Sequence, residues 1–93
     1  MEDGMPVGFE LSQNYPTPFN PATEITYSLS EPAEVILEVY SIHGQRLAIL
    51  ESGLKSEGEH SVRFDASNHA SGIYIYRLRA GEVIKSKKMI LLK

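Results

Sequence analysis

Apolar side chains recur at every second position from residue 23 onward, and this period constrains the fold more than any other feature. The segments 25–29, 35–39 and 74–78 each place their large apolar residues at alternate positions. A period of two puts those side chains on one face of a β-strand, whereas a helix needs a period of about 3.6. The chain therefore predicts an all-β fold, with Glu38 on the solvent side of its strand.

Turn-forming residues separate these segments at intervals typical of short strands. Residues 35–51 have the pattern of a β-hairpin that turns at Gly44, because glycine adopts a positive φ without steric cost. Six or seven such strands with no helical segment predict an immunoglobulin-like antiparallel β-sandwich of about seven strands. The other expected breaks are Pro32, a polar loop over residues 52–59, a loop over residues 67–72 and a turn at Gly81.

In the last strand, which closes the chain, the alternation slips. Met89 and Leu91 are out of step with Ile84. A β-bulge at residues 87–88 would account for the slip. Alternatively, the strand is unbroken and the parity of Ile84 continues through Ile90.

The charge of the chain is distributed unevenly. Residues 1–40 hold seven acidic residues and no lysine or arginine, whereas residues 77–93 hold six basic residues against Glu82 alone. Such lysines protect an edge strand from pairing with other chains, or they mark a tail that a partner recognises. Both interpretations require the basic strand to be accessible.

Residue types suited to catalysis or metal binding are present but not at working spacings. The chain has no cysteine, so disulfides and thiolate metal sites are excluded. His43, His60 and His69 lack metal-ligand spacing, and we expect them to be solvent-exposed turn residues. Asp65 fits an Asx-turn that closes its strand. We therefore expect no catalytic residue, no metal and no cofactor.

Binding of nucleic acid, membrane or sugar finds little support. The net charge is −3 and the basic residues form no stripe with interleaved aromatics, which argues against nucleic acid. No apolar run approaches the roughly 20 residues of a membrane helix, so we expect no membrane insertion. A sugar-binding accessory domain stays open as an alternative, with Tyr15 and Tyr40 as the tyrosines outside the expected core face.

The segment 11–23, "LSQNYPTPFNPAT", has neither a strand period nor a helix period. Its three prolines fix φ near about −65° and remove three amide donors, so the segment can be ordered without joining a sheet. We expect it to pack Tyr15 and Phe19 across one end of the sandwich as a lid, with Asn14 and Asn20 satisfying local backbone groups. The alternative is a flexible proline-rich linker.

The stretch Gly72-Ile73-Tyr74 has the local form of a tyrosine corner. In such a corner the tyrosine hydroxyl bonds back to the backbone of the preceding turn. Tyr76, two residues on, is expected in the core, where its ring supplies packing area. Tyr74 is then either a structural corner or a contact for a partner, and the sequence favours the corner.

Taken together and in order, three motifs resemble a known family. The stretches "NYPTPFNP", "SGIYIYRLRAG" and "KKMILLK" follow one another between Leu11 and Lys93. This run resembles the type A C-terminal sorting domain of the type IX (Por) secretion system, found in Bacteroidetes and related phyla. The fold family also resembles the immunoglobulin-like module of the flagellar hook-capping protein.

The resemblance implies a non-catalytic secretion signal at the C-terminus of a larger secreted protein, often a hydrolase. It implies recognition by an outer-membrane translocon and, in many cases, removal by a sortase-like peptidase. The cargo would be in the periplasm in transit and then secreted or attached to the cell surface. By position, the family's sorting motif falls on Gly72, Tyr74, Lys87, Lys88 and Lys93. Its opening motif falls on Asn14, Pro16, Pro18, Phe19, Asn20 and Pro21.

The expected organisation is a single folded unit. Residues 1–8 are interpreted as a linker or expression remnant and residues 9–93 as the sorting domain, which we expect to be a monomer. Besides the sugar-binding accessory domain, the alternative function is a structural immunoglobulin-like module that spaces or assembles other domains.

Overall fold

The computed structural model describes residues 8–93, and this part of the chain forms seven strands and no helix. The expected all-β sandwich of about seven strands is therefore confirmed. Among the described residues no helix is long and apolar enough to cross a membrane. Most of the linker expected over residues 1–8 lies outside the described residues. The strands are β1 (Phe9–Leu11), β2 (Ala22–Leu29), β3 (Ala33–Ser41), β4 (Arg46–Lys55), β5 (Gly58–Asp65), β6 (Gly72–Ala80) and β7 (Val83–Leu91).

The strands form two antiparallel sheets that face each other. One sheet has the order β1-β2-β5 and the other has the order β4-β3-β6-β7. β1 and β7 are edge strands on the same side of the sandwich, where they contact each other. The basic last strand is therefore at the edge of its sheet.

Alternate residues of both sheets fill the space between them, as the period of two predicted. Tyr27, Tyr76 and Phe19 are the largest side chains that are fully buried. Tyr27 of one sheet donates its hydroxyl to Glu51 of the other at 2.5 Å. Loss of water on burial, together with the hydrogen bond to the Glu51 carboxylate, raises the pKa of the Tyr27 hydroxyl.

The prediction of a polar loop over residues 52–59 is wrong. β4 continues to Lys55 and β5 begins at Gly58, so only two residues connect them. β4 pairs with β3 throughout this stretch, with Ala33 opposite Lys55 and Val35 opposite Gly53. An edge strand leaves one of its two faces to solvent, so a polar sequence does not prevent it from pairing.

The β-bulge considered at residues 87–88 is also absent. β7 pairs with β6 in unbroken register from Ala80 opposite Val83 to Gly72 opposite Leu91. Register shifts occur instead between β3 and β4. In β7 the alternation of Met89 and Leu91 continues back through inward-facing lysines, which an edge strand accommodates because their ends reach solvent past the core.

Lys85 shows how an inward-facing lysine is satisfied at this edge. Its ammonium donates to the Phe9 carbonyl at 2.7 Å and lies 5.1 Å from the centre of the Phe9 ring. The lysine thus crosses from β7 to β1, with its charge held by a carbonyl oxygen and by an aromatic face. The contact ties the open side of the sandwich together.

Candidate recognition site

Residues 12–21, here called the strap, connect β1 to β2. Asn14, at the centre of the strap, is only 1% exposed. Its side-chain amide donates to the Pro16 carbonyl at 3.2 Å and to the Thr23 hydroxyl at 3.0 Å. The expected role of Asn14 in satisfying local backbone is confirmed. Asn20 is exposed, and no hydrogen bond from its side chain is found within residues 8–93.

The strap joins both sheets, contrary to the expectation that it would lie outside them. Tyr15 and Glu24 exchange backbone hydrogen bonds of 3.0 and 2.9 Å on the β2 side. On the β7 side, the Phe19 amide donates to Ile90 at 2.9 Å and the Phe19 carbonyl accepts from Leu92 at 3.0 Å. Each proline removes only its own amide donor, so Tyr15 and Phe19 keep their amides and remain able to pair.

The expected lid is formed by Phe19 alone. Phe19 is 1% exposed, and its ring centre lies 6.2 Å from that of Phe64. Tyr15 is 79% exposed, so its predicted packing across the end is wrong. Asn14 takes the inward position immediately before Tyr15, and alternation along an extended backbone turns Tyr15 outward.

A buried tyrosine fixes the strap to β6. The Tyr76 hydroxyl donates to the Ser12 carbonyl at 2.6 Å and accepts from the Asn14 amide at 2.9 Å. Tyr76 is fully buried, and this burial raises the pKa of its hydroxyl to about 12 against a smaller opposing effect of the Asn14 amide. The hydroxyl is neutral at physiological pH and acts as donor and acceptor at once.

Tyr74 has the geometry of a tyrosine corner. Its side chain is 8% exposed and its hydroxyl donates to the Ala70 carbonyl at 2.5 Å. Gly72, two residues earlier, has a φ of 154° and nothing within 4 Å of the position where a Cβ would lie. Glycine is therefore favoured at this position because of the backbone conformation, and not because a side chain would lack space. The structural interpretation of Tyr74 is supported, and its role in recognition stays a prediction.

The three lysines of the predicted sorting motif lie along β7 and just beyond it. Lys88 and Lys93 are exposed, whereas Lys87 is half-buried on the inward side. The Lys93 ammonium donates to the Ser67 carbonyl at 2.6 Å, and its amide donates to the Ser71 hydroxyl at 3.0 Å. The end of the chain is therefore held beside the loop that leads into Tyr74.

A charged cluster on the outer face of the β3–β6 sheet was not predicted. Glu38 faces away from the core as expected, yet it is only 4% exposed. Its carboxylate accepts from Arg46 at 3.1 Å, from Arg77 at 3.0 Å and from the Tyr40 hydroxyl at 3.0 Å. Burial raises the pKa of Glu38, but these hydrogen bonds outweigh it and hold the pKa below its ordinary value.

The histidines are not all exposed turn residues. His43 is exposed in the β3–β4 turn, but His60 is half-buried in β5 with its ring stacked 5.2 Å from that of Tyr27. His69 is half-buried against Phe64 and Tyr74. The expected exposure was wrong for both: the neighbour of His60 is 33 positions away in the sequence, whereas the loop folds His69 back between two nearby aromatic residues.

Within residues 8–93, no group of three or more histidine, aspartate or glutamate side chains is arranged to hold a metal ion. The predicted Asx-turn at Asp65 is present, with its carboxylate accepting from the Ser67 amide at 2.9 Å. The hydrogen bonds from Ser67 lower the pKa of Asp65. This carboxylate therefore has a structural role in ending β5.

Comparison with known proteins supports the resemblance seen in the motifs. Residues 13–92 match the model of a protein family described as the secretion system C-terminal sorting domain. The match includes the strap from Gln13 onward and all of β2 to β7. A search of curated proteins found no match.

Proposed function

Because this chain belongs to the family of secretion system C-terminal sorting domains, which are type IX secretion signals, we propose that it presents its signal as a folded surface centred on β7. The domain is a C-terminal secretion and sorting signal, and it implies a parent protein that is exported and either surface-associated or secreted. Domains of this kind are non-catalytic in general.

The position of β7 carries the proposal. This strand is at the edge of its sheet, where Lys88 is exposed and Lys87 partly so, and Lys93 is exposed just beyond its end. Exposed charges at an edge steer a partner and select its orientation more than they add affinity. In our proposal the three lysines are read directly by the secretion machinery.

Gly72 and Tyr74 have a supporting role in this proposal. The Tyr74 hydroxyl bonds to Ala70, and Lys93 bonds to Ser67 and Ser71 in the same loop. The corner therefore holds the loop against which the chain end rests. In this proposal the machinery contacts neither Gly72 nor Tyr74 directly.

Several finer points belong to the proposal. We infer that an outer-membrane translocon binds this surface after the parent protein has entered the periplasm, and that a sortase-like peptidase acts at the boundary with the cargo. A boundary before Phe9 is supported by its burial at 5% exposure in β1. The domain acts as a monomer and performs no catalysis itself.

Fusion of residues 8–93 to a periplasmic reporter tests the function in a bacterium with a type IX secretion system. The intact fusion is expected at the cell surface or in the medium, and the reporter alone in the periplasm. Deletion of residues 87–93 is a poor control because it removes Met89 and Leu91, which are fully buried. Retention of a folded, intact fusion in the periplasm would contradict the proposed function.

A further inference from the structure

Alternate residues of β7 direct their backbone amides and carbonyls toward the side of the strand that does not pair with β6. The Phe19 hydrogen bonds to Ile90 and Leu92 lie on the side of β7 opposite β6. In a β-strand, residues two apart direct their amides and carbonyls to the same side. The amides and carbonyls of Ile84 and Ser86, and the amide of Lys88, therefore point to this same edge.

The strap covers the far end of this edge, and β1 contacts β7 through Lys85 and Phe9. The Gln13 side chain donates to the Lys88 carbonyl at 2.7 Å, and Phe19 occupies the positions beyond it. Ile84 is 49% exposed, and Ser86 and Lys88 are also exposed. Within residues 8–93 no backbone hydrogen bond reaches the outward amides and carbonyls of Ile84 and Ser86, so the stretch 84–88 offers backbone groups of the kind that accept an added strand.

A small pocket lies where this open stretch meets the strap. Its volume is about 260 Å³, and Ile73 and Ile90 form its floor as a directly opposed pair on β6 and β7. Gln13 and Thr17 of the strap and Lys88 form the rest of the lining. Such a pocket accepts an apolar side chain next to a positive charge.

The charge around the open stretch selects an acidic occupant. Lys85, Lys87 and Lys88 border it on both faces of the sheet, and Arg79 lies opposite Ile84 on β6. A second copy of this chain would bring an equally basic β7 to the same edge, and like charges directly opposite destabilise paired strands. A strand rich in glutamate or aspartate has the complementary charge.

We propose that the edge of β7 from Ile84 to Lys88 binds an extended acidic segment of the secretion machinery by adding it as a further strand. An apolar side chain of that segment occupies the pocket over Ile73 and Ile90. The identity of the partner as secretion machinery rests on the proposed function, but the strand addition does not. Backbone hydrogen bonds supply the affinity, and the lysines select acidic sequences.

A synthetic peptide provides the direct probe. We expect a peptide of about nine residues that alternates valine with glutamate to slow amide hydrogen exchange at Ile84, Ser86 and Lys88 in the 8–93 domain. The same peptide with lysine in place of glutamate should not bind. Equal binding of both peptides, or protection elsewhere on the domain, would overturn the proposal, as would dimerisation of the domain through β7.

Proline at Ser86 isolates the role of the edge. Ser86→Pro removes an amide that points away from β6, so the sheet itself keeps its hydrogen bonds. We expect it to weaken acidic-peptide binding about tenfold or more, which is about 1.4 kcal/mol, whereas Ser86→Thr keeps the amide and should bind normally. Wild-type affinity of a folded Ser86→Pro domain would overturn the proposal. If Ser86→Pro does not fold, the hydrogen-exchange measurement on the unaltered domain decides whether the proposal stands.

The two proposals fail in different ways. If the intact fusion is not exported, the sorting function fails even where the peptide binds. If the intact and Ser86→Pro fusions are exported equally well, the sorting function stands and strand addition at β7 is wrong.

Discussion

The Tyr76 hydroxyl accepts a hydrogen bond of 2.9 Å from the backbone amide of Asn14, a residue 62 positions earlier in the chain. The same hydroxyl donates to Ser12, so one buried side chain of β6 holds two strap residues. Because Phe19 of the strap bridges to β7, the position of the basic edge depends on this connection. The strap is thus part of the surface that presents the signal.

Loss of the Tyr76 hydroxyl should destabilise the domain. Tyr76→Phe leaves the Asn14 amide and the Ser12 carbonyl without their partner in a buried place, at a cost of about 1–3 kcal/mol in the free energy of unfolding. Tyr15→Phe is the matched control, since Tyr15 is 79% exposed, and it should change that energy by less than about 0.5 kcal/mol. Denaturant unfolding measures both, and equal effects would contradict the account of the strap.

Truncation of Phe19 should be among the most damaging single changes. Its ring is fully buried against Phe64, so Phe19→Ala leaves a cavity at the end of the sandwich and should cost about 3–5 kcal/mol. Tyr15→Ala removes an aromatic ring of similar size from the same segment with little effect on stability. A flexible strap would make the two variants equally stable, and thermal unfolding distinguishes these results.

Removal of the Tyr74 hydroxyl distinguishes a structural role of Tyr74 from a direct contact with the secretion machinery. Tyr74→Phe loses the bond to Ala70 and should lower the free energy of unfolding by about 0.5–1.5 kcal/mol. We expect export of its reporter fusion to remain near normal at a temperature where the variant is fully folded. Export that is lost while the circular dichroism and unfolding curve stay native would identify Tyr74 as a recognised residue instead.

The Glu38 cluster should make stability depend on pH at the acid end. The pKa of Glu38 is lower in the folded state than its ordinary value of 4.5, so the unfolded chain binds its proton first as pH falls. The contribution of the cluster is complete above that value and is lost as pH falls through the folded pKa. Glu38→Gln should therefore be less stable than wild type at neutral pH, and the difference should shrink at the lowest pH where both remain folded. A difference that does not vary with pH would contradict this account.

The sequence was sufficient for the fold class because alternation is a local property. Each inward residue of β3 and β6 could be read from its own strand, and the tyrosine corner could be read from a short stretch ending at Tyr74. The edge position of β7 was anticipated from its lysines. Predicting these features does not require knowing which strands are neighbours.

The remaining features depend on contacts between distant residues, which alternation does not encode. Glu38 is buried because β6 places Arg77 directly opposite it. His60 is half-buried because β5 pairs beside Tyr27. The strap was predicted outside the sheets because its composition disfavours strands, yet Tyr15 and Phe19, which flank prolines, keep their amides and pair.

The export of charge variants tests the central claim that the folded edge at β7 is the signal. The fusion carrying Lys87→Gln and Lys88→Gln should fold normally but remain mostly in the periplasm. A fusion carrying Lys55→Gln and Arg63→Gln on the other side of the sandwich changes the net charge equally and should reach the surface. Equal surface delivery by the two fusions, measured on intact cells, would contradict the claim.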